Sequence, residues 1–397
     1  MPIGDVNVAD AQLFRTDTQW PFFERLRKEA PIHYNREHPD GPFWSVTRFQ
    51  DIMSIDTQHE LFSSEPSISL LDDPEDARLE MFIAMDPPDH KYRRKVVSPI
   101  VSPPSLADLE ILIRERVVAI LESLPRGRPF NWVDLVSIEL TTQMLATLFD
   151  FPWEHRRQLT YWSDMATANP SSPNWVSWEY RAERLQECAF YFMKLRHERA
   201  GAPPKGDLIS MLAHGDRTRD MKPMELLGNV ILLIVGGNDT TRNSITGGLY
   251  ALSKFSDQYD KVLADPSVIP NMVSEIVRWQ TPLAYMRRTA NEDVEMHGET
   301  IKRGDKVLMW YVSGNRDETE IAEADKLIID RPDVRHHMSF GFGIHRCMGN
   351  RLAEMQLRIL WEEIVNRLGR IEVLSEPTRV ASYFVRGYTN LTVRIPS

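Results

Sequence analysis

Between Glu225 and Phe255 apolar residues recur at intervals of three and four, the spacing of one helical face, around a central GGNDTT. No other stretch limits the fold as much. The same spacing covers Leu106 to Leu124, Val133 to Leu148, Tyr180 to Arg199, Pro270 to Trp279 and Asn350 to Leu368, so helix dominates. Strand-like pieces are few and short: Phe43 to Thr47, Val294 to Met296, Lys306 to Trp310, and a C-terminal pair around Tyr383 to Phe384 and Leu391 to Ile395. Pro-rich loops at Ser64 to Pro74, Asp86 to Pro88 and Asn169 to Pro173 read as connections, pocket walls or lids.

No Gly/Ser-rich or charged linker divides the 397 residues, which leaves one large domain or two fused lobes. The longest apolar run, Val230 to Val235, is too short to span a bilayer, and the N-terminal MPIGDVNVADAQLF has neither region of a signal peptide. With 47 basic against 57 acidic residues the net charge is -10, which argues against a general binder of nucleic acid or anionic membrane. Two cysteines cannot form a disulfide framework and fit a reducing compartment, so a cytoplasmic protein is expected.

One of those cysteines, Cys347, lies in FGFGIHRCMGNR, between glycines, His345 and Arg346. The following MGNRLAEMQLRILWEEIV is an amphipathic helix, which puts the sulfur at a helix N-terminus, where the dipole and free N–H groups favour a thiolate. Gly341, Gly343 and Gly349 would let backbone approach a large flat ligand. A structural zinc site lacks further Cys or His at zinc spacing, and a cysteine hydrolase lacks an obvious histidine and carboxylate pair. Haem iron needs only one such axial ligand. On these residues alone a small buried side chain in a glycine-rich turn remains the alternative, as it does for Cys188, which is read as structural.

The framework F-G-x-G-x-H-x-C-x-G resembles the haem-binding loop of the cytochrome P450 monooxygenases, and further motifs follow the family's order along nearly the whole chain. The resemblance implies one mainly α domain over 1–397 with a small β-rich lobe, and haem b (iron protoporphyrin IX) between the long central helix and the cysteine loop. Cys347 would be the iron ligand. In VGGNDTTRN, Gly236 and Gly237 leave room beside the backbone, and Thr240 can bond back to a carbonyl and widen the helix locally. Asp239 and Thr240 are similar to the family's acid and alcohol pair, which would relay the protons that O2 cleavage consumes. Their presence counts against a peroxide-dependent relative.

His90 and Arg94, at i and i+4 in DPPDHKYRRKVV, resemble the family's propionate-binding helix, with Arg288 and His345 as further contacts. Gly236, Ser339, Phe340, Gly341, Gly349 and Ala353 complete the cofactor-binding set that the resemblance implies. Glu275 and Arg278 match the family's E-x-x-R pair, expected to join Arg331 in fixing the cysteine loop. Leu232, Val235, Leu283, Met286, Phe384 and Val385, all uncharged, are expected above the haem. Lys91, Lys95 and Arg346 would form a basic patch for a ferredoxin, itself reduced from NAD(P)H by a ferredoxin reductase.

GGNDTTRNS, VRWQTPLAYMRRTA and LFDFPWEHRR are similar to the bacterial subfamily that hydroxylates medium-chain n-alkanes and fatty acids at the terminal carbon. That is the expected activity, with O2 and a hydrophobic small molecule as substrates. A sterol side-chain or branched-lipid hydroxylase is the alternative. A haem carrier or gas sensor would need Cys347 but not Asp239 and Thr240. The short N-terminus is expected to carry no membrane anchor.

Overall fold

The computed structural model describes residues 1–72, 78–168, 170 and 175–397. The expected pocket-wall positions Asp73, Pro74, Asn169 and Ser171 to Pro173 lie outside the described residues. Helices α1 (Ala11–Thr16), α2 (Trp20–Glu29), α3 (Phe49–Thr57), α4 (Asp89–Val97), α5 (Pro103–Ser123), α6 (Glu139–Phe149) and α7 (Arg157–Thr167) occupy the first half. They are followed by α8 (Trp178–Ala200), α9 (Leu208–His214), α10 (Pro223–Lys254), α11 (Ser256–Ala264), α12 (Ile269–Gln280), α13 (Tyr311–Gly314) and α14 (Asn350–Arg367). The long helix α10 starts with proline in its first turn, where a missing N–H costs nothing, and the Glu225 carboxylate accepts the Lys222 N–H at 3.1 Å. It packs against α6, α7, α8, α12 and α14, which explains why nearly every face of it is apolar or small. The stretch read as one helix from Val133 is a turn of π-helix, Val133–Ile138, running into α6.

The strands are β1 (Ile32–Asn35), β2 (Phe43–Val46), β3 (Phe62–Ser63), β4 (Phe130–Asn131), β5 (Met286–Ala290), β6 (Val294–Met296), β7 (Glu299–Ile301), β8 (Lys306–Met309), β9 (Glu372–Val373), β10 (Thr378–Arg379), β11 (Tyr388–Asn390) and β12 (Thr392–Arg394). One sheet runs β1-β2-β8-β5-β3, with β2 and β8 parallel and the other neighbours antiparallel. Small ladders join β10 to β11, β4-β12-β9, and β6 to β7. Tyr383 and Phe384 form a turn rather than the expected strand, tied back by the Leu283 to Val385 bridge and by the Ala284 N–H donating to Phe384 O at 2.8 Å. Strand β5 was not legible because its two adjacent arginines look like surface, yet Arg287 and Arg288 are each 3 % exposed.

A large apolar core fills the helical body, and smaller cores lie under the sheet, around Val307 and Met309, and at the N-terminal side, around Trp310 and Tyr285. The described part of the Ser64 loop is tied to its surroundings by polar contacts. Leu70 N–H donates to the Tyr285 hydroxyl at 2.8 Å, Arg287 N–H to Ile68 O at 2.9 Å, and Lys306 Nζ pairs with Asp72 at 2.7 Å. Among the described residues no single helix is long and apolar enough to cross a membrane.

Candidate functional site

The loop before α14 turns on two glycines in the left-handed region, Gly341 (φ 64°) and Gly343 (φ 62°), where a side chain would be strained. That gives them a role in the turn itself, besides the expected close approach to a ligand. A Cβ on Gly343 would sit 2.6 Å from Asp56 O, inside the neighbouring α3 turn. Cys347 N–H donates to Phe340 O at 2.8 Å and closes the loop. Burial pushes the Cys347 thiol up, while N–H groups of Gly349 and Asn350 and the guanidiniums of Arg94 and Arg346 pull it down. Desolvation thus opposes the helix terminus and the two guanidiniums at this sulfur. A cation against the sulfur would add to the pull of those four groups, which are placed to support a thiolate.

The thiol fits an axial haem ligand on three further observations. Cys347 is exposed although desolvation dominates its chemistry, a combination that occurs at the floor of an internal recess. Gly349 beside it and Gly236 in the middle of α10 each face open space, with nothing within 4 Å of an added Cβ. Gly236 is exposed although its helix is packed on several sides, and α14, which begins three residues after Cys347, packs against α10. The recess thus lies between the cysteine loop and α10.

The third observation is a set of unsatisfied donors. His90 is 3 % exposed with Nε2 unpartnered, and His345 has neither ring nitrogen partnered; the rings lie 4.1 Å apart. Burial and then Arg94 push the His90 imidazolium down to about 4, and burial followed by Arg288 lowers His345 further. His59, which the sequence reading missed, adds to the positive field on both. Buried unpartnered imidazoles beside Arg94 suit a pair of carboxylates such as haem propionates. Arg94 also donates to Arg346 O at 2.5 Å, fastening α4 to the cysteine loop. Arg288 is less free than expected, since Nη2 donates to Asp56 Oδ1 at 2.6 Å and Nη1 to Arg287 O at 2.9 Å.

Ser339 turns its hydroxyl away from a ligand role: it donates to Val277 O at 2.9 Å and accepts from Asn315 Nδ2 at 2.8 Å. Phe340 is half-buried against the main core, and Ala353 lies in the first turn of α14, its N–H on Gly349 O at 2.9 Å.

On the α10 side the Thr240 hydroxyl donates back to Gly236 O at 2.8 Å, as the sequence suggests, yet α10 continues unbroken as α-helix. The room comes from the absent side chain of Gly236 and not from a widened turn. Gly237 is a packing glycine, since a Cβ there would meet Leu145 Cδ2 at 2.9 Å. Asp239 is fully buried. Its Oδ1 takes hydrogen bonds from Ser163 Oγ (3.1 Å) and Asn238 Nδ2 (3.0 Å) and pairs with Arg242 (3.0 Å), while Oδ2 is unpartnered. Burial raises its pKa against the pull of Arg242. Arg242 is shared with Asp164, 2.6 Å away and partly exposed, which links the acid to the surface.

Glu275 and Arg278 are buried, not the surface pair such a motif forms by default, with Nε to Oε2 at 2.7 Å and Nη2 to Oε1 at 2.8 Å. Arg278 also donates to Asn315 O, Ala324 O and Lys326 O, and Arg331 reaches Glu275 at 3.4 Å. Asn315 Oδ1 accepts the Met338 N–H at 2.8 Å, so the network reaches the cysteine loop through Asn315 and Ser339. Leu232, Val235, Leu283, Met286 and Phe384 are each half-buried, and Val385 is buried at the bridge to Leu283. Asn243, one turn past Thr240, accepts the Tyr388 N–H at 3.2 Å and holds that C-terminal turn to α10. Lys91, Lys95 and Arg346 are exposed.

A family model described as cytochrome P450 matches residues 54–373. Linalool 8-monooxygenase of Pseudomonas putida is 36% identical over 98% of this chain and 98% of its own length. A methyl-branched lipid omega-hydroxylase of Mycobacterium tuberculosis is 30% identical over 99% of this chain and 95% of its own. Among solved structures, cytochrome P450-153 from Novosphingobium aromaticivorans is 45% identical with a TM-score of 0.92, covering 99% of both chains. CYP153D17 from a Sphingomonas species is 49% identical with a TM-score of 0.93, over 98% of this chain and 99% of that one.

Proposed function

We infer a substrate class from one premise: the chain belongs to the cytochrome P450 family, and as such it is a monooxygenase that uses haem b, O2, a redox partner and a hydrophobic substrate. When bound, the haem lets two electrons and two protons convert O2 and a C–H bond into an alcohol and water. In our reading Cys347 holds the iron, and His90, Arg94 and His345 hold the propionates, with Arg288 contributing what Asp56 leaves free. Asp239, its carboxyl made easier to protonate by burial, takes protons from the Asp164 and Arg242 side, and the Thr240 hydroxyl passes them into the recess. Successive helical residues point about 100° apart. The transfer therefore runs through a water or a turn of the Asp239 side chain.

The substrate is a medium-chain n-alkane or fatty acid, hydroxylated at its terminal carbon. The observation that carries this is the uncharged set Leu232, Val235, Leu283, Met286, Phe384 and Val385, half-buried or buried, which selects by apolar area at about 0.8 kcal/mol per methylene. A methyl C–H is harder to oxidise than its methylene neighbours, so the walls must hold the chain end on. The omega position in the name of one relative supports an end-on pose. Electrons come from a ferredoxin docked on Lys91, Lys95 and Arg346, in a cytoplasmic enzyme that uses 1–397 as one catalytic unit. A branched or sterol lipid is the second reading, favoured by the names of the branched-lipid and steroid relatives.

Titrating the purified haem protein with octane, dodecanoate, linalool and a sterol separates these. Octane and dodecanoate are expected to shift the haem spin state, and turnover with ferredoxin, its reductase and NADH to yield the terminal alcohol. A shift with the sterol alone overturns the proposal.

A further inference from the structure

Asp56, at the end of α3, is a carboxylate with no exposed side-chain surface. Both of its oxygens are used. Oδ1 accepts from Arg288 Nη2 at 2.6 Å, and Oδ2 accepts the Phe342 N–H at 2.7 Å and the Tyr311 hydroxyl at 2.8 Å. Phe342 lies between the two left-handed glycines of the cysteine loop, and a Cβ on Gly341 would come within 3.2 Å of Asp56 Oδ2. One side chain therefore fills the inside of that loop and binds it to β5 and α13. It also changes the charge facing a bound haem. Arg288, one of the groups matched to the propionates, already has its charge paired with Asp56 at 2.6 Å.

We propose that Asp56 is a positioning residue for the haem: it clamps the loop that presents Cys347 and offsets the charge of Arg288, which keeps the bound iron hard to reduce and the cofactor tightly held. The inference rests on the haem-thiolate reading. Removing the negative charge leaves Arg288 uncompensated beside the cofactor and favours the reduced iron.

The test uses the holoenzyme. A wild-type sample without the red-shifted Soret band of the reduced, carbon-monoxide-bound thiolate form refutes the haem-thiolate reading itself, before any variant is considered. In Asp56→Asn the reduction potential is expected to rise, and haem transfer to excess apomyoglobin to become about 10-fold faster. Asp56→Glu, which keeps the charge, is expected to restore most of the potential. Tyr311→Phe removes one donor without changing charge, so it should speed haem loss and leave the potential near that of the wild type. A wild-type potential in Asp56→Asn overturns the charge role. Unchanged haem loss in both Asp56→Asn and Tyr311→Phe overturns the clamp, and if Asp56→Asn does not fold, Tyr311→Phe and Asp56→Glu decide in its place.

Discussion

On the Cys347 side of the recess the loop's framework is pinned, with Asp56 gripping Phe342 and Arg288, Asn315 gripping Met338 and Ser339, and the Glu275 network behind them, while the imidazoles of His90 and His345 keep unpartnered nitrogens. The α10 side is looser in its packing. There Asp239 keeps an unpartnered oxygen, Gly236 faces open space, and the apolar residues nearby are half-buried. A metal ligand must be held in one geometry through every turnover, whereas the face that handles protons and variable chains needs side chains able to change partners.

The contrast can be broken or sharpened at several places. Arg278→Ala removes one partner of a fully buried ion pair and should cost about 3–5 kcal/mol of stability. Denaturant unfolding followed at the haem Soret band measures it, and haem should leave before the helical signal is lost. Asp239→Asn removes a proton carrier on the looser side and should slow turnover about 100-fold with haem retained, since general acid catalysis supplies 10²–10⁴-fold. Thr240→Ala should instead divert electrons to peroxide, read as NADH consumed per product formed. If Thr240→Ala stays fully coupled, the relay is wrong.

The two neighbouring glycines give a smaller and more pointed test. Gly237→Ala drives a methyl into Leu145 and should lower stability by about 1–3 kcal/mol. Gly236→Ala meets nothing, so the unfolding midpoint should hold while the spin-state titration with dodecanoate changes. The smallest effect is expected on the surface. Lys91→Glu combined with Lys95→Glu should lower kcat/KM for an acidic ferredoxin about 10-fold at low ionic strength, a deficit that shrinks as salt is added.

What the sequence disclosed and what it hid follow the same division. The long helix, Cys347 and the pair Glu275 and Arg278 stand in short motifs whose spacing survives without any knowledge of the fold. Asp56 carries no such signature, because it reaches the cysteine loop from nearly 300 residues away, as its separation of 286 from Phe342 shows. At Arg288 the sequence marked a cofactor contact but not the strand that carries it, and pairing across β5 and β8 shows why Arg287 and Arg288 are both buried. The expected thiolate rested on the helix terminus and on the neighbouring Arg346 and His345, and gave no weight to desolvation, the largest influence on the Cys347 thiol.

The bond from Asp56 to Phe342 spans 286 residues and that from Arg94 to Arg346 spans 252. During synthesis neither can form until most of the polypeptide has left the ribosome, and closing loops of that size is slow. Cofactor capture is therefore among the last events in maturation, and a nascent or C-terminally truncated chain would expose the apolar lining of an unfinished cavity to chaperones and proteases.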